Sequence, residues 1–259
     1  MRKSGDKTTL QRRVIILEEL EKKGQVDVTT LSKTLKVSEV TIRNDLRRLE
    51  QKNALIRARG GAIKIDRVGM DFTISDKNKQ NLVQKKRIGK AAASLIEPGD
   101  TIILDSGTTT MEIAKNLGTV GELTVITNAM NIANQLAEHV KVNVIIPGGS
   151  LRKNSLSLIG PTAEESFKNY FCDKLFLAVD GFSVTHGLST PNVEEAHLNR
   201  VMIAISKQVI VVADSTKFHK RSFAFIAGTN DIDVLVTDEG IPEEDQKKLE
   251  TAGIKVVIA

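Results

Sequence analysis

The sharpest chemistry in this chain is a run of small polar residues, Asp105-Ser106-Gly107-Thr108-Thr109-Thr110, directly after the apolar stretch Thr101-Ile102-Ile103-Leu104. A short loop of hydroxyls and one glycine that opens a helix offers backbone N–H groups and the positive helix end to an anion. A loop that only caps a helix needs one such residue, whereas this one places four in five, so the pattern points to phosphate. The Gly-Lys-Ser/Thr ending of a nucleotide P-loop is absent. Polar and glycine residues recur after later apolar stretches: Thr127-Asn128, Gly148-Gly149, Asp180-Gly181, Asp214-Ser215 with Lys217, and Asp238-Glu239. Lys217 suits a phosphate or a sugar oxygen, or equally a solvated surface. Glu194 and Glu195 suit sugar hydroxyls, or the first turn of a helix, where the dipole favours acids. An isomerase would read Asp180, Glu195 and Lys217 as general acid and base. Against that reading, no second carboxylate closely follows Asp180-Gly181.

A second group lies in the first quarter of the chain. Around a helix striped by Ile42, Leu46 and Leu49 sit Ser38, Glu39, Thr41, Arg43, Asn44, Arg47 and Arg48. Arginine forks onto guanine, asparagine pairs with adenine, and serine or threonine reaches phosphate. Arg57 and Arg59 follow on a hairpin, in reach of backbone or minor groove. Charge agrees: residues 1–66 hold 16 Lys/Arg against 9 Asp/Glu, and residues 67–259 hold 21 against 23. The net +5 is therefore a basic module on a near-neutral passenger, which points to double-stranded nucleic acid.

Both groups need elements to hold them. Thr9 suits an N-cap, Val14, Leu17 and Leu20 recur at helical spacing, and Gly24 ends that helix. Gln25-Val26-Asp27 reads as a connector. Thr29 or Thr30 opens a short helix with Leu31 and Leu35 inside, and Ser38 caps a third helix to Lys52. Two short strands, 54–57 and 62–65, flank a Gly60-Gly61 turn. This order predicts a winged helix-turn-helix over residues 1–66, its third helix entering the major groove. Residues 67–84 are polar and aperiodic and read as a linker. From 85 to 259, a helix at Lys85–Leu95 is followed by strands near 101–104, 123–126, 142–146, 174–179, 208–212, 233–236 and 254–258, alternating with helices. The class is α/β, with a mostly parallel sheet covered on both faces. Ligands of such sheets bind beyond the carboxyl ends of the strands, where the polar runs above fall.

Composition removes other classes. His139, His186, His197 and His219 show no ligand spacing with Cys172, so no metal site is expected. No Gly-x-Ser-x-Gly occurs, which leaves a nucleophilic serine unsupported. Tyr170 is the only tyrosine and there is no tryptophan, a poor basis for stacking RNA. Met1 to Asp6 lack the apolar core of a signal peptide, and no apolar run approaches the ~18 residues of a membrane helix. A single cysteine fits a reducing cytoplasm.

The segment Ser38-Glu39-Val40-Thr41-Ile42-Arg43-Asn44-Asp45-Leu46-Arg47-Arg48-Leu49-Glu50, followed by Leu55-Ile56-Arg57 and Gly60-Gly61-Ala62, resembles the signature of the DeoR family of bacterial sugar-metabolism regulators. The likeness continues through the second domain. Asn53 stands where a glycine is usual, and Arg59 where a histidine is common. The resemblance implies a repressor, with no catalytic residues and no cofactor, that binds operator DNA and is released by a phosphorylated sugar. It implies a sensor domain similar in fold to ribose-5-phosphate isomerase and CoA transferases. It also implies effector-binding roles for Asp105, Ser106, Gly107, Thr108, Thr109, Asn128, Gly149, Asp180, Gly181, Glu195 and Lys217. Within the family, Thr41 to Leu46, Asp105 to Thr110 and Asp238-Glu239-Gly240-Ile241-Pro242 look most like the AgaR branch, which responds to amino-sugar catabolism. Palindromic operators are matched by symmetric oligomers, so a homodimer or homotetramer is expected.

Overall fold

The structure, a computed structural model of the chain, describes residues 9–51, 54–63 and 71–259. Lys52, Asn53, Lys64, Ile65, the first eight residues and residues 66–70 lie outside the described residues. The chain divides into two compact units, Met1–Arg67 and Val68–Ala259.

In the first unit α1 (Thr9–Lys23), β1 (Gln25–Asp27), α2 (Val28–Leu35) and α3 (Glu39–Gln51) precede β2 (Ile56–Ala58) and β3 (Gly61–Ile63). Ile16, Leu20, Leu31, Leu35, Ile42, Leu46, Leu49 and Leu55 form its core. The stripes read for α2 and α3 thus turn inward. On α1, by contrast, Ile16 and Leu20 are the buried pair, Leu17 is only partly buried and Val14 stands outside the core, because the inward face of α1 is rotated from the one expected. Three further details differ from the sequence expectation. Gln25–Asp27 is a strand that pairs antiparallel with β3, giving the wing the strand order β1-β3-β2. A three-residue strand is too short to show alternation. The N-cap of α2 is Asp27, whose side chain accepts from the Thr30 N–H at 2.9 Å, rather than Thr29 or Thr30. The hairpin turn is Arg59-Gly60, with Gly61 already paired. A side chain on Gly61 would meet the Val26 carbonyl at 2.0 Å, so this glycine serves close strand approach.

The second unit opens with α4 (Ile74–Lys77) and α5 (Leu82–Ala93). Next come β4 (Thr101–Leu104), α6 (Thr108–Ala114), β5 (Leu123–Ile126), α7 (Met130–Leu136) and β6 (Val142–Ile145). A hairpin, β7 (Ser150–Arg152) and β8 (Ser157–Ile159), leads to α8 (Pro161–Phe167), β9 (Cys172–Ala178), β10 (Gly181–Ser183) and β11 (Gly187–Thr190). The rest is α9 (Val193–Ala204), β12 (Ser206–Val212), β13 (Ala224–Phe225), β14 (Val234–Thr237), α10 (Glu243–Thr251) and β15 (Lys255–Ile258). A seven-stranded parallel sheet of order β15-β14-β12-β9-β4-β5-β6 is the spine. Period-two side chains split it into two cores. Leu175, Leu177, Val209 and Val211 pack on one face, while Phe176, Ile210, Val212 and Leu104 pack on the other. All seven sequence-predicted strands belong to this sheet. The β7-β8 hairpin and the small antiparallel sheet β10-β11-β13 are additions without a clear apolar signature.

Candidate functional site

The residues expected to read DNA stand on α3 and the wing. Ser38 caps α3: its Oγ accepts from the Thr41 N–H at 3.2 Å and lies 2.9 Å from Thr41 Oγ1. Ser38, Arg43, Asn44, Arg47, Arg48, Arg57 and Arg59 are all exposed, and Thr41 is half-buried. Arg43 Nη2 donates to Glu39 Oε2 at 2.6 Å, while Glu39 Oε1 accepts from Thr29 Oγ1 at 2.8 Å. Arg43 is therefore pre-aimed from the start of α3 by a surface pair worth only about 0.3–0.5 kcal/mol, easily exchanged for a base or phosphate. The Arg57 N–H donates to Glu50 Oε1 at 3.2 Å and ties the wing to α3. Arg59 occupies the hairpin tip.

Beneath this face lies a residue the sequence reading did not single out. Asp45 is 1% exposed and accepts from Arg12 Nε at 2.5 Å and Arg13 Nε at 2.7 Å. Two cations on α1 thus hold one buried carboxylate on α3 and fix the helix that carries the reading residues. An Asp on a charged helix reads as surface, and only tertiary packing shows otherwise.

In the sheet unit, the Asp105 loop, Asp180 and Lys217 meet at one cavity beyond the carboxyl ends of β4, β9 and β12, while the runs at 127–128, 148–149 and 238–239 do not line it. Asp105, Ser106, Gly107, Thr108, Thr109, Asp180, Glu195 and Lys217 all line it. Gly107 is the N-cap of α6 and no side chain caps that helix. The threonines are therefore not spent on capping, which was the alternative for this loop. Three expected residues stand elsewhere. Asn128 is 1% exposed, its backbone carbonyl accepting from the Leu158 N–H at 2.8 Å, so it braces the β8 strand. Gly149 and Gly181 allow close packing: a Cβ would come within 2.9 Å of the Ile159 carbonyl at the first and 2.6 Å of the Lys220 carbonyl at the second.

The cavity also has walls that the sequence reading missed: Lys77, Lys85, Asn154, Ser155 and Asn199. Segment 71–81, expected to be a linker, is fastened to this unit. Lys77 Nζ lies 2.7 Å from Asp180 Oδ1 and 2.8 Å from Oδ2. Asp71 pairs with Arg152 and accepts from Asn154 Nδ2 at 2.8 Å. The Ile74 N–H donates to the Asn154 carbonyl at 2.6 Å. Asn81 Nδ2 donates to Asp214 Oδ1 at 3.0 Å and Thr216 Oγ1 at 3.1 Å. The helix predicted from Lys85 begins three residues earlier, at Leu82, and ends at Ala93. Lys85 Nζ points back to the carbonyls of Lys77 (2.6 Å) and Gln80 (2.8 Å).

Charge in the cavity is finely sorted. Burial, then the Glu195 charge, pushes the Asp105 carboxyl up to about 8, so it holds a proton at neutral pH. Burial also opposes the Asp180 charge, but Lys77 and Lys217 outweigh it and hold that carboxyl at about 2. The Lys217 ammonium is 3.7 Å from Asp180. Burial, then the Lys217 charge, lowers Lys85 to about 8. Burial works against the Lys77 ammonium too, yet Asp180 keeps it above the usual lysine range. Glu195 is held by Arg152 Nη1 at 3.2 Å, Thr190 Oγ1 at 3.2 Å and Ser157 Oγ at 3.3 Å. The cavity thus offers a neutral acid at Asp105, an ionised carboxylate at Asp180, the Glu195 side chain, three lysines and a hydroxyl loop. Among the described residues no cluster of His, Cys, Asp or Glu is arranged to hold a metal.

With both sites in place, comparison with known proteins gives their class. Residues 12–68 match the DeoR-like helix-turn-helix domain, and residues 80–239 match the DeoR C-terminal sensor domain. The chain belongs to the DeoR family of transcriptional regulators. It is a DNA-binding regulator rather than an enzyme. A protein of Escherichia coli O157:H7, named provisionally as an aga operon transcriptional repressor, is 42% identical over 98% of this chain and 97% of its own. The transcriptional repressor GlcR of Bacillus subtilis is 38% identical over 88% of each chain. The regulator GlpR of Haloferax volcanii is 35% identical over 95% of this chain and 96% of its own. Among solved structures, ribose 5-phosphate isomerase A of Methanocaldococcus jannaschii aligns with TM-score 0.40 at 15% identity, covering 54% of this chain and 55% of that one. The 4-hydroxybutyrate CoA-transferase of Porphyromonas gingivalis aligns with TM-score 0.41 at 16% identity, covering 66% and 52%.

Proposed function

We propose that this regulator represses a sugar-catabolic operon and releases its operator when a phosphorylated sugar enters the cavity beyond β4, β9 and β12. The observation that carries this is the meeting, in one cavity, of the Asp105–Thr109 loop with Lys217, Asp180 and Glu195. Hydroxyls, uncapped loop amides and a lysine suit a phosphate. Ionised Asp180, protonated Asp105 and the Glu195 side chain suit sugar hydroxyls, which both donate and accept. The high identity to the relative named for the aga operon supports the branch that the sequence suggested, concerned with amino sugars. Ser38, Thr41, Arg43, Asn44, Arg47 and Arg48 on α3, with Arg57 and Arg59 on the wing, are the proposed operator contacts.

The acting species in this reading is a homodimer or homotetramer in the cytoplasm, matched to a two-fold operator. Among the described residues no helix is long and apolar enough to cross a membrane. Light scattering at operator-saturating concentration should give a dimer or tetramer mass; a monomer would contradict it.

The test is calorimetry of the full chain with glucose 6-phosphate, glucosamine 6-phosphate, galactosamine 6-phosphate, fructose 6-phosphate and ribose 5-phosphate, each beside its unphosphorylated sugar. Saturable binding of a phosphorylated member alone is expected, and Thr108→Ala should weaken it without loss of operator binding. No binding by any phosphorylated member would overturn the sensor reading.

A further inference from the structure

The cavity measures about 50 Å³, whereas small-molecule pockets run to roughly 300–1,000 Å³. A sugar phosphate enters only if a wall moves. Most walls are strand ends and loops seated in the two cores. Two wall segments are not so seated: 71–81, which contributes Ile74 and Lys77, and the tip of the β7-β8 hairpin, which contributes Asn154 and Ser155 and to which 71–81 is tied. Between Asp71 and Gln84 no residue is buried, so no apolar core holds this strap. Its attachment is polar: Lys77 to Asp180, Asp71 to Arg152, and the Ile74 N–H to the Asn154 carbonyl. Such contacts are the kind that a competing charge can replace.

We propose that strap 71–81 is the gate of the effector cavity and that Lys77 is an effector-binding residue, whose ammonium passes from Asp180 to the incoming phosphate. This rests on the reading of the cavity as a sugar-phosphate site. Lys77 then completes a cationic set with Lys217, and Asp180, relieved of Lys77, turns to a sugar hydroxyl. The Lys77 ammonium stays paired with an anion throughout, and Asp180 keeps Lys217, 3.7 Å away, as its counter-ion.

Hydrogen exchange on the full-length protein tests this with the phosphorylated sugars above and with inorganic phosphate. With a phosphorylated sugar that binds, the Ile74 amide should exchange about tenfold faster, reflecting loss of its hydrogen bond to the Asn154 carbonyl. Lys77→Met should lower affinity for that sugar phosphate by ~10-fold, and Lys77→Arg by less than ~3-fold, since the charge is kept. If Lys77 only closes the cavity, Lys77→Met will bind as tightly as wild type or tighter, which overturns the exchange. Binding that changes protection at 106–109 and leaves 71–81 unchanged overturns the gate while the sensor reading stands. Failure of every sugar phosphate to bind wild type overturns both.

Discussion

The two sites handle charge in opposite ways. On α3 and the wing, the proposed operator contacts stand mostly in water, and the one close pair among them, Arg43 with Glu39, is itself at the surface. In the sheet unit, lysines and carboxylates are drawn out of water and satisfy one another. A face built for a large polyanion can leave its cations solvated, because the ligand brings charge and area together. A cavity built for a small anion must hold its cations in place beforehand, and so carries its own counter-ions for the ligand to displace.

The largest effect should come from the one place where the DNA unit breaks this rule. Asp45→Ala leaves Arg12 and Arg13 without their shared carboxylate, and removing one partner of a buried ion pair costs about 3–5 kcal/mol. Urea unfolding of the full chain should show the N-terminal transition shifted strongly and the C-terminal one unmoved. Equal shifts in both would show that Asp45 matters beyond its own unit.

Arg43→Ala should weaken operator binding by about 1–3 kcal/mol and relax selectivity at one base position, with stability unchanged. A uniform loss across all sequences would make Arg43 a phosphate contact instead.

Effector binding should weaken as pH rises through about 8. There Asp105 gains a negative charge and Lys85 loses a positive one, so both changes oppose an anion. The ligand's own charge is steady in that window, since its second ionisation lies near ~6. Asp105→Asn should remove part of this dependence. The same carboxyl makes the fold lose stability as pH climbs from its ordinary 3.8 to about 8, because the folded state binds the extra proton. Asp105→Asn should flatten that slope in thermal unfolding followed from pH 4 to 8. A wild-type curve already flat there would show Asp105 ionised in the fold.

The smallest effect belongs to the wing tip. Arg59→Ala should lower the salt dependence of operator binding by about one ion, with little change in sequence preference.

The same contrast explains what the sequence made legible. The α3 face was readable because its residues are neighbours along one helix and their types match base chemistry locally. The sheet was readable because buried parallel strands are continuous apolar runs, and the loop at Asp105 because it follows one of them. Lys77 and Asp71 were not readable. Their order comes from partners far along the chain, Asp180 and Arg152, and a polar segment without periodicity looks like a linker. Asn128, Gly149 and Gly181 do not line the cavity, for the converse reason. They recur after strands in the manner of ligand groups, yet serve the packing of strands and hairpins.

The central claim is that one chain couples operator binding to a sugar phosphate. Fluorescence anisotropy of the full-length protein on DNA from its own promoter, at fixed salt, measures this with and without each sugar phosphate. The account predicts tight, sequence-specific binding that one phosphorylated sugar weakens by roughly 5–150-fold, the range of a typical coupling energy. Specific binding unaffected by every phosphorylated sugar, or no specific binding at all, would contradict it.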